Sequence, residues 1–149
     1  MSTTGLEVFD KTLQTTNIWL DEIMQELGPD RQFAWHVLGA VLRPLRDRLQ
    51  LGLAAHLGAQ LPLLVRGLYY DQWKPGAEPG KSHLQDEFFG QVEKGLHGIR
   101  PVKTQEAVTV VLHVLSRHID REQSAKVRDA LPADLRKLWP EHFLKEAPR

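Results

Sequence analysis

A chain of 149 residues and 17.0 kDa has the length of one domain. Its 42% hydrophobic and 26% charged residues exclude an intrinsically disordered protein. Its 19 Lys plus Arg balance 19 Asp plus Glu, which removes the bulk charge that would attract nucleic acid or an anionic membrane, and the absence of cysteine excludes disulfides, thiol catalysis and Cys-based zinc sites.

The start of the chain, residues 1–5, has no basic region followed by an apolar run, so we predict no signal peptide. Together with the lack of cysteine, this favours a cytoplasmic protein. The nearest approach to a membrane span is residues 49–65, which carry no formal charge. This run contains Gln50, His56 and Pro62 and falls short of the about 20 apolar residues that a bilayer requires. We therefore expect buried core there and no membrane span.

The first predicted helices meet at residues 27–30, where Leu-Gly-Pro stops one helix and Asp30 is placed to cap the next. In that next helix the apolar residues from Phe33 to Leu49 cover about 200° of the helical wheel. A face of this width predicts a central helix that is covered on more than one side. Pro44 lies inside it, and we expect a kink or a restart there.

Residues 71–85 are rich in Gly and Pro and form the predicted linker to a second set of helices. Residues 107–115 are β-branched enough to form a strand when taken alone. They align with residues 34–42, which contain too few β-branched residues for a strand, and this alignment favours a helix. Thr104 and Asp120 are predicted as caps in this half.

The two halves match at mostly apolar positions. The pairs include Gln32 with Gln105, Ala34 with Ala107, Val37 with Val110, Leu42 with Leu115, Leu61 and Pro62 with Leu131 and Pro132, and Tyr69 with Trp139. We therefore predict two tandem copies of a three-helix unit, copy one at about 16–70 and copy two at about 86–139, with an N-terminal extension and a short C-terminal tail. Because each copy is too small to bury its faces alone, the prediction is a single all-α helical bundle over residues 1–149.

A resemblance to a known family rests on two segments of the chain. They are residues 57–75, with Leu57-Gly58-Ala59-Gln60-Leu61-Pro62 followed by Leu64, Arg66-Gly67, Tyr69-Tyr70, Trp73 and Pro75, and the opening Phe9-Asp10-Lys11-Thr12-Leu13-Gln14. From about Leu6 to Trp139 the chain resembles the bacterial domain-of-unknown-function family 2267. The resemblance implies a small, soluble, all-helical bacterial protein and supplies no activity or catalytic residue.

Aromatic residues gather where copy one meets the linker, at Tyr69, Tyr70 and Trp73. One interpretation is that these rings seal the junction between the copies. The other is that they form an interaction surface together with Arg66, since Tyr, Trp and Arg are enriched at binding hot spots.

The densest basic cluster is Arg43, Arg46 and Arg48, which would serve a nucleic-acid-associated regulator if all three lay on one exposed face. Asp47 among them and Pro44 before them argue against that interpretation. His118 takes the place of Leu45 in the apolar stripe, which predicts a partly buried core histidine that titrates near neutrality, or one at a helix end.

Catalytic motifs are absent: the sequence has no nucleophile elbow, phosphate loop or dinucleotide fingerprint. Its histidines lack the spacing of a metal site, since His113 and His118 point in different directions on a helix. We therefore expect a non-enzymatic protein-interaction or regulatory module without cofactor or metal, whose partner is an unidentified protein or a second copy. The alternatives are the nucleic-acid regulator and a small-ligand carrier with a cleft between the copies.

Overall fold

The computed structural model describes residues 3–75 and 85–140, which form eight α-helices and no strand. The all-α class is therefore confirmed, and none of these helices combines the length and the apolarity that a bilayer crossing requires. In chain order they are α1 (Glu7–Leu27), α2 (Arg31–Asp47), α3 (Leu51–Gln60), α4 (Leu63–Tyr70), α5 (Gln85–Gly95), α6 (Thr104–His118), α7 (Arg121–Ala130) and α8 (Ala133–Arg136).

Helices α2 and α6 form the centre of the bundle. Helix α2 packs against α1, α4, α5 and α6, and α6 packs against α1, α2 and α5, while α3 lies against α4 and α7. The wide apolar face predicted for α2 is thus covered from several directions, as expected. The side chains buried in this central pair include Val37, Leu38, Val41 and Leu42 of α2 and Val108, Val111 and Leu115 of α6.

Two of the three predicted helix caps are present. The carboxylate of Asp30 accepts from the backbone N–H of Phe33 at 3.1 Å, and that of Asp120 accepts from Gln123 at 2.7 Å. The prediction for Thr104 is wrong, because the residue that precedes α6 is Lys103, whose side chain makes no capping bond. Of the two alternatives at Pro44, the restart is wrong, since α2 continues from Arg31 to Asp47 with the proline buried, and the kink stays a prediction.

Each half of the chain holds four helical segments, so the prediction of a three-helix unit is also corrected. The reason is the Leu-Pro pair that ends α3 and α7: Leu61 and Leu131 are both extended, and the proline after each begins a further short helix.

Matching hydrogen bonds follow these two Leu-Pro corners. The Tyr69 hydroxyl donates to the carbonyl of Ala54, and the Trp139 indole N–H donates to the hydroxyl of Ser124, each across 15 residues. Both rings are buried. The duplication stays a prediction, and these corresponding bonds support it.

Candidate functional site

The structure places Tyr69 in the core and not on a surface. It is 0% exposed, and its hydroxyl donates to the carbonyl of Ala54 at 2.7 Å. The prediction that Tyr69 contributes to an interaction surface is therefore wrong. Adjacent residues of a helix point about 100° apart, so Tyr69 faces the core while Tyr70 faces α3.

The side chain of Arg66 binds the C-terminal end of α3. Its guanidinium donates to the carbonyl oxygens of Gly58 at 2.9 Å, Ala59 at 3.3 Å and Leu61 at 2.9 Å. The last carbonyls of a helix lack intrahelical partners, so these bonds complete the C-terminus of α3. Arg66 therefore fixes the corner between α3 and α4.

Tyr70 and Trp73 cover the same corner from outside. Their rings stack with centroids 5.2 Å apart, both residues are half-buried, and the Tyr70 hydroxyl donates to the carbonyl of Ala55 at 3.3 Å. The interpretation as a seal thus describes these rings better than that of an interaction surface. What they seal is the α3–α4 corner.

Substitution of Gly58 tests this packing, because a Cβ there would overlap the Tyr70 hydroxyl and lie 2.5 Å from its ring carbon Cζ. We expect Gly58→Ala to lower the free energy of unfolding by about 1 to 3 kcal/mol, measured by urea denaturation. The matched control is Gly52→Ala in the same helix, where a Cβ meets nothing within 4 Å and alanine is expected to be neutral or slightly stabilising. Equal effects of the two substitutions would contradict this packing.

Burial of the ring raises the pKa of the Tyr69 phenol far above its ordinary value, and the nearby Tyr70 adds to the shift. Because the folded state favours the neutral phenol, this contribution to stability is complete below the unfolded pKa of about 10 and is lost as the pH rises beyond it. In a Tyr70→Phe variant, Tyr69 is the remaining tyrosine. We expect its tyrosinate absorbance to develop only together with the alkaline loss of helical circular dichroism. Reversible ionisation near pH 10 with the helices intact would show that the ring is accessible.

The predicted basic patch does not form on the surface. The Arg46 side chain is 4% exposed and donates to the carbonyls of Tyr69 at 2.8 Å and Asp71 at 2.9 Å. The Arg48 side chain is 3% exposed, and the Arg43 Nε donates to the carbonyl of Leu68 at 3.4 Å. The interpretation of Arg43, Arg46 and Arg48 as one exposed face is therefore wrong. Arg43 and Arg46 hold the end of α4 against α2, and Arg48 lies 3.9 Å from the carboxylate of Glu87 in α5.

His118 lies at the C-terminal end of α6 and not in the core. Of its two predicted positions, the one in the core is therefore wrong and the one at a helix end is correct. Its side chain is 26% exposed, its ring stacks on Trp19 with centroids 5.0 Å apart, and its Nε2 lies 2.7 Å from a carboxylate oxygen of Glu22. Arg117 donates to the other oxygen of the same carboxylate at 2.7 Å. The imidazole therefore links the end of α6 to the middle of α1.

A cleft of about 430 Å³ lies between α1 and the α3–α4 corner. We call it the α1–α4 cleft and define it by Val8, Lys11 and Trp19 of α1, Leu63 and Arg66 of α4, and His118 of α6. All of these except His118 come from the N-terminal half of the chain. The small-ligand alternative predicted a cleft between the two copies. A second cleft, of about 420 Å³, has this position, because Phe33 of the first copy and Arg100 and Glu106 of the second line it.

The charges along the α1–α4 cleft are of one sign. The formally charged residues of its lining are Lys11 and Arg66, and no Asp or Glu of the described residues belongs to it. Two carboxylates outside the lining contact it: Glu22 lies 2.7 Å from His118, and Asp120 accepts from the side-chain amide of Gln60 at 2.8 Å. The cleft therefore presents cations beside the apolar side chains of Val8 and Leu63. Within residues 3–75 and 85–140, no three side chains of His, Asp or Glu are grouped as metal ligands.

Above the cleft, the first two turns of α1 leave four large apolar side chains exposed. We call this segment the apolar overhang; Leu6, Val8, Phe9 and Leu13 are 48%, 55%, 51% and 44% exposed. The first buried residue of α1 is Thr16. Helix α1 therefore extends about two turns beyond the part that the core covers.

The overhang repeats the pattern of the buried part of α1. At 100° per residue, Leu6, Phe9 and Leu13 fall within about 60° of one another and align with the buried Leu20. Its first turn is also fixed, because the backbone N–H and the hydroxyl of Thr4 donate to one carboxylate oxygen of Asp10 at 3.1 and 2.9 Å. The chain thus presents an ordered apolar face that the described body leaves uncovered.

Analysis of the sequence did not identify this face. Residues 9–14 carry part of the family resemblance, and the interaction surface predicted from the sequence lies elsewhere, at Tyr69, Tyr70 and Trp73. The signal was present, since Leu6, Phe9, Leu13 and Leu20 recur at intervals of three, four and seven residues. A single sequence does not show which part of such a stripe the core covers.

Comparison with known protein families gives a match over most of the chain. The model of a family described as an uncharacterized conserved protein (DUF2267) matches residues 16–138. No curated protein matches the chain. The matched region begins at residue 16, which is also where the burial of α1 begins. The apolar overhang therefore lies before the matched region.

Proposed function

The chain belongs to the family described as an uncharacterized conserved protein (DUF2267), and we propose that this member is a non-enzymatic module that binds another polypeptide through the apolar overhang and the α1–α4 cleft. The observation that carries the proposal is the exposure of Leu6, Val8, Phe9 and Leu13 on an ordered helix. Contiguous exposed apolar side chains of this kind mark interaction sites in proteins.

Two further leucines extend the surface across the cleft. Leu63 and Leu64, at the start of α4, are 53% and 39% exposed, and Leu63 lines the cleft together with Val8. Apolar side chains therefore flank a groove whose charged residues are Lys11 and Arg66. Such a groove suits an amphipathic helix whose apolar face is bordered by carboxylates.

The other interpretations receive less support. A nucleic-acid regulator would need Arg46 and Arg48 at the surface, whereas both side chains are buried. A small-ligand carrier would use the α1–α4 cleft or the cleft between the two copies, whose volumes are both in the range of ligand pockets. That carrier would leave the apolar overhang without a role. We also propose a cytoplasmic location, which the absence of cysteine favours.

Two synthetic helical peptides with the same apolar face test the proposal, one with acidic flanks and one with basic flanks. By isothermal titration calorimetry we expect the acidic peptide to bind about tenfold more tightly, because the cleft is cationic. Leu63→Ser should weaken this binding. The matched control is Leu51→Ser, since Leu51 is also the first residue of a helix and is also 53% exposed. Failure of both peptides to bind, or equal losses from the two substitutions, would contradict the proposal.

A further inference from the structure

We infer that the partner of this surface is a second copy of the chain, with the apolar overhang of each copy seated against the α1–α4 cleft of the other. This inference rests on the proposed function and names the partner. It starts from the fact that one chain carries both halves of a complementary contact. The ridge is formed by Leu6, Phe9 and Leu13, and the groove runs between Val8 and Leu63.

The charges of the two halves are opposite. The first turn of α1 carries Glu7 and Asp10, whereas the cleft is lined by Lys11 and Arg66. Two copies related by a two-fold axis would place the acidic turn of each near the cationic groove of the other. The contact is therefore complementary in sign as well as in apolar character.

A contact in which each copy uses both surfaces limits the assembly to two copies. When the same two surfaces are used on both sides, each overhang and each cleft is occupied once, and no free pair remains to recruit a third chain. Because the chain has no net charge, long-range electrostatic repulsion does not oppose the association of two copies.

The ridge is already helical and ordered before it meets a partner, which favours docking. The bonds from Thr4 to Asp10 hold the first turn of α1. Little conformational entropy therefore remains to be lost when the segment meets its partner.

Sedimentation velocity from about 1 µM to about 1 mM measures the assembly directly. We expect a concentration-dependent shift toward twice the 17.0 kDa of one chain. Phe9→Asp is expected to raise the dissociation constant at least about 100-fold, because it places a carboxylate in the centre of the apolar contact. Ile18→Asp is the matched control, since Ile18 is 46% exposed on the same helix and points about 180° away from Phe9.

Charge reversal tests the second feature of the contact. We expect Lys11→Glu to weaken self-association about tenfold, and Lys94→Glu in α5, which changes the net charge equally, to have little effect. Thermal unfolding of each variant checks that it folds. If Phe9→Asp does not fold, Leu13→Ser takes its place, since Leu13 is 44% exposed on the same ridge.

The outcomes separate this inference from the proposed function. A chain that stays monomeric over the whole range but binds the acidic peptide overturns the second copy as partner and leaves the proposed function in place. A monomeric chain that binds neither peptide overturns both. A dimer that Phe9→Asp and Lys11→Glu leave unchanged uses another surface and also overturns the inference.

Discussion

Leu42→Ala and Leu115→Ala are each expected to lower the free energy of unfolding by about 3 to 5 kcal/mol. Both side chains are 0% exposed and lie in the central helices α2 and α6, which pack against each other. Each substitution removes buried methyl groups and leaves a cavity that the surrounding helices cannot fill. A typical domain has about 5 to 15 kcal/mol of stability, so either change removes a large fraction of it.

The control for this pair is Leu51→Ala, because Leu51 is 53% exposed at the start of α3. Its cost is expected to remain below about 1 kcal/mol. Urea denaturation of the three variants gives the comparison. Since Leu42 and Leu115 correspond in the predicted duplication, their losses should be similar. A small loss at one of them would show that the two central helices are not equivalent.

Arg46→Met is the second substitution with a large expected effect, about 2 to 3 kcal/mol of stability. The arginine donates to the carbonyls of Tyr69 and Asp71, and its side chain is 4% exposed. Methionine fills a similar volume but donates no hydrogen bond, so these carbonyls lose the partner that holds the end of α4. The loss appears in denaturation as a lower midpoint with an unchanged slope.

Arg43→Met serves as the matched control, because Arg43 lies on the same helix, is half-buried and donates across a longer 3.4 Å to the carbonyl of Leu68. Its expected cost is below about 1 kcal/mol. If Arg46→Met is as mild as Arg43→Met, the buried guanidinium is not required to hold α4. Arg46 would then be free to serve another role.

The helices were largely predictable because apolar residues recur with the period of a helix. The clearest case is α6, whose β-branched residues 107–115 suggest a strand when read alone. Alignment with residues 34–42 gave the correct helix. The short helices α4 and α8 were not separated from their neighbours, because four to eight residues carry too little periodicity to mark a new element.

The roles of the arginines were not predictable in the same way. A sequence shows that Arg46, Arg48 and Arg66 are charged, and charged side chains usually lie at the surface. It does not show that a long side chain can reach carbonyls at a helix end far along the chain. Arg66 reaches back to Gly58 and Arg46 reaches forward to Asp71, and both contacts depend on the turn made at the α3–α4 corner.

The candidate site was missed for a related reason. Tyr69 and Phe9 are both aromatic residues on helices, yet Tyr69 is 0% exposed and Phe9 is 51% exposed. Which of the two lies in the core depends on the length of the neighbouring helices, and that length is a property of the packed structure. Interaction residues on an overhanging helix follow the same periodicity as core residues, so sequence periodicity alone does not distinguish them.

Hydrogen exchange of the backbone amides of residues 7–14, followed by mass spectrometry at several protein concentrations, tests the central claim most directly. If a second copy covers the apolar overhang, these amides should exchange about fivefold more slowly at a chain concentration about ten times the dissociation constant than far below it, because about a fifth of the chains are then monomeric. Amides of the buried part of α2 should not change with concentration. Exchange in residues 7–14 that is fast and equal at every concentration would contradict the account.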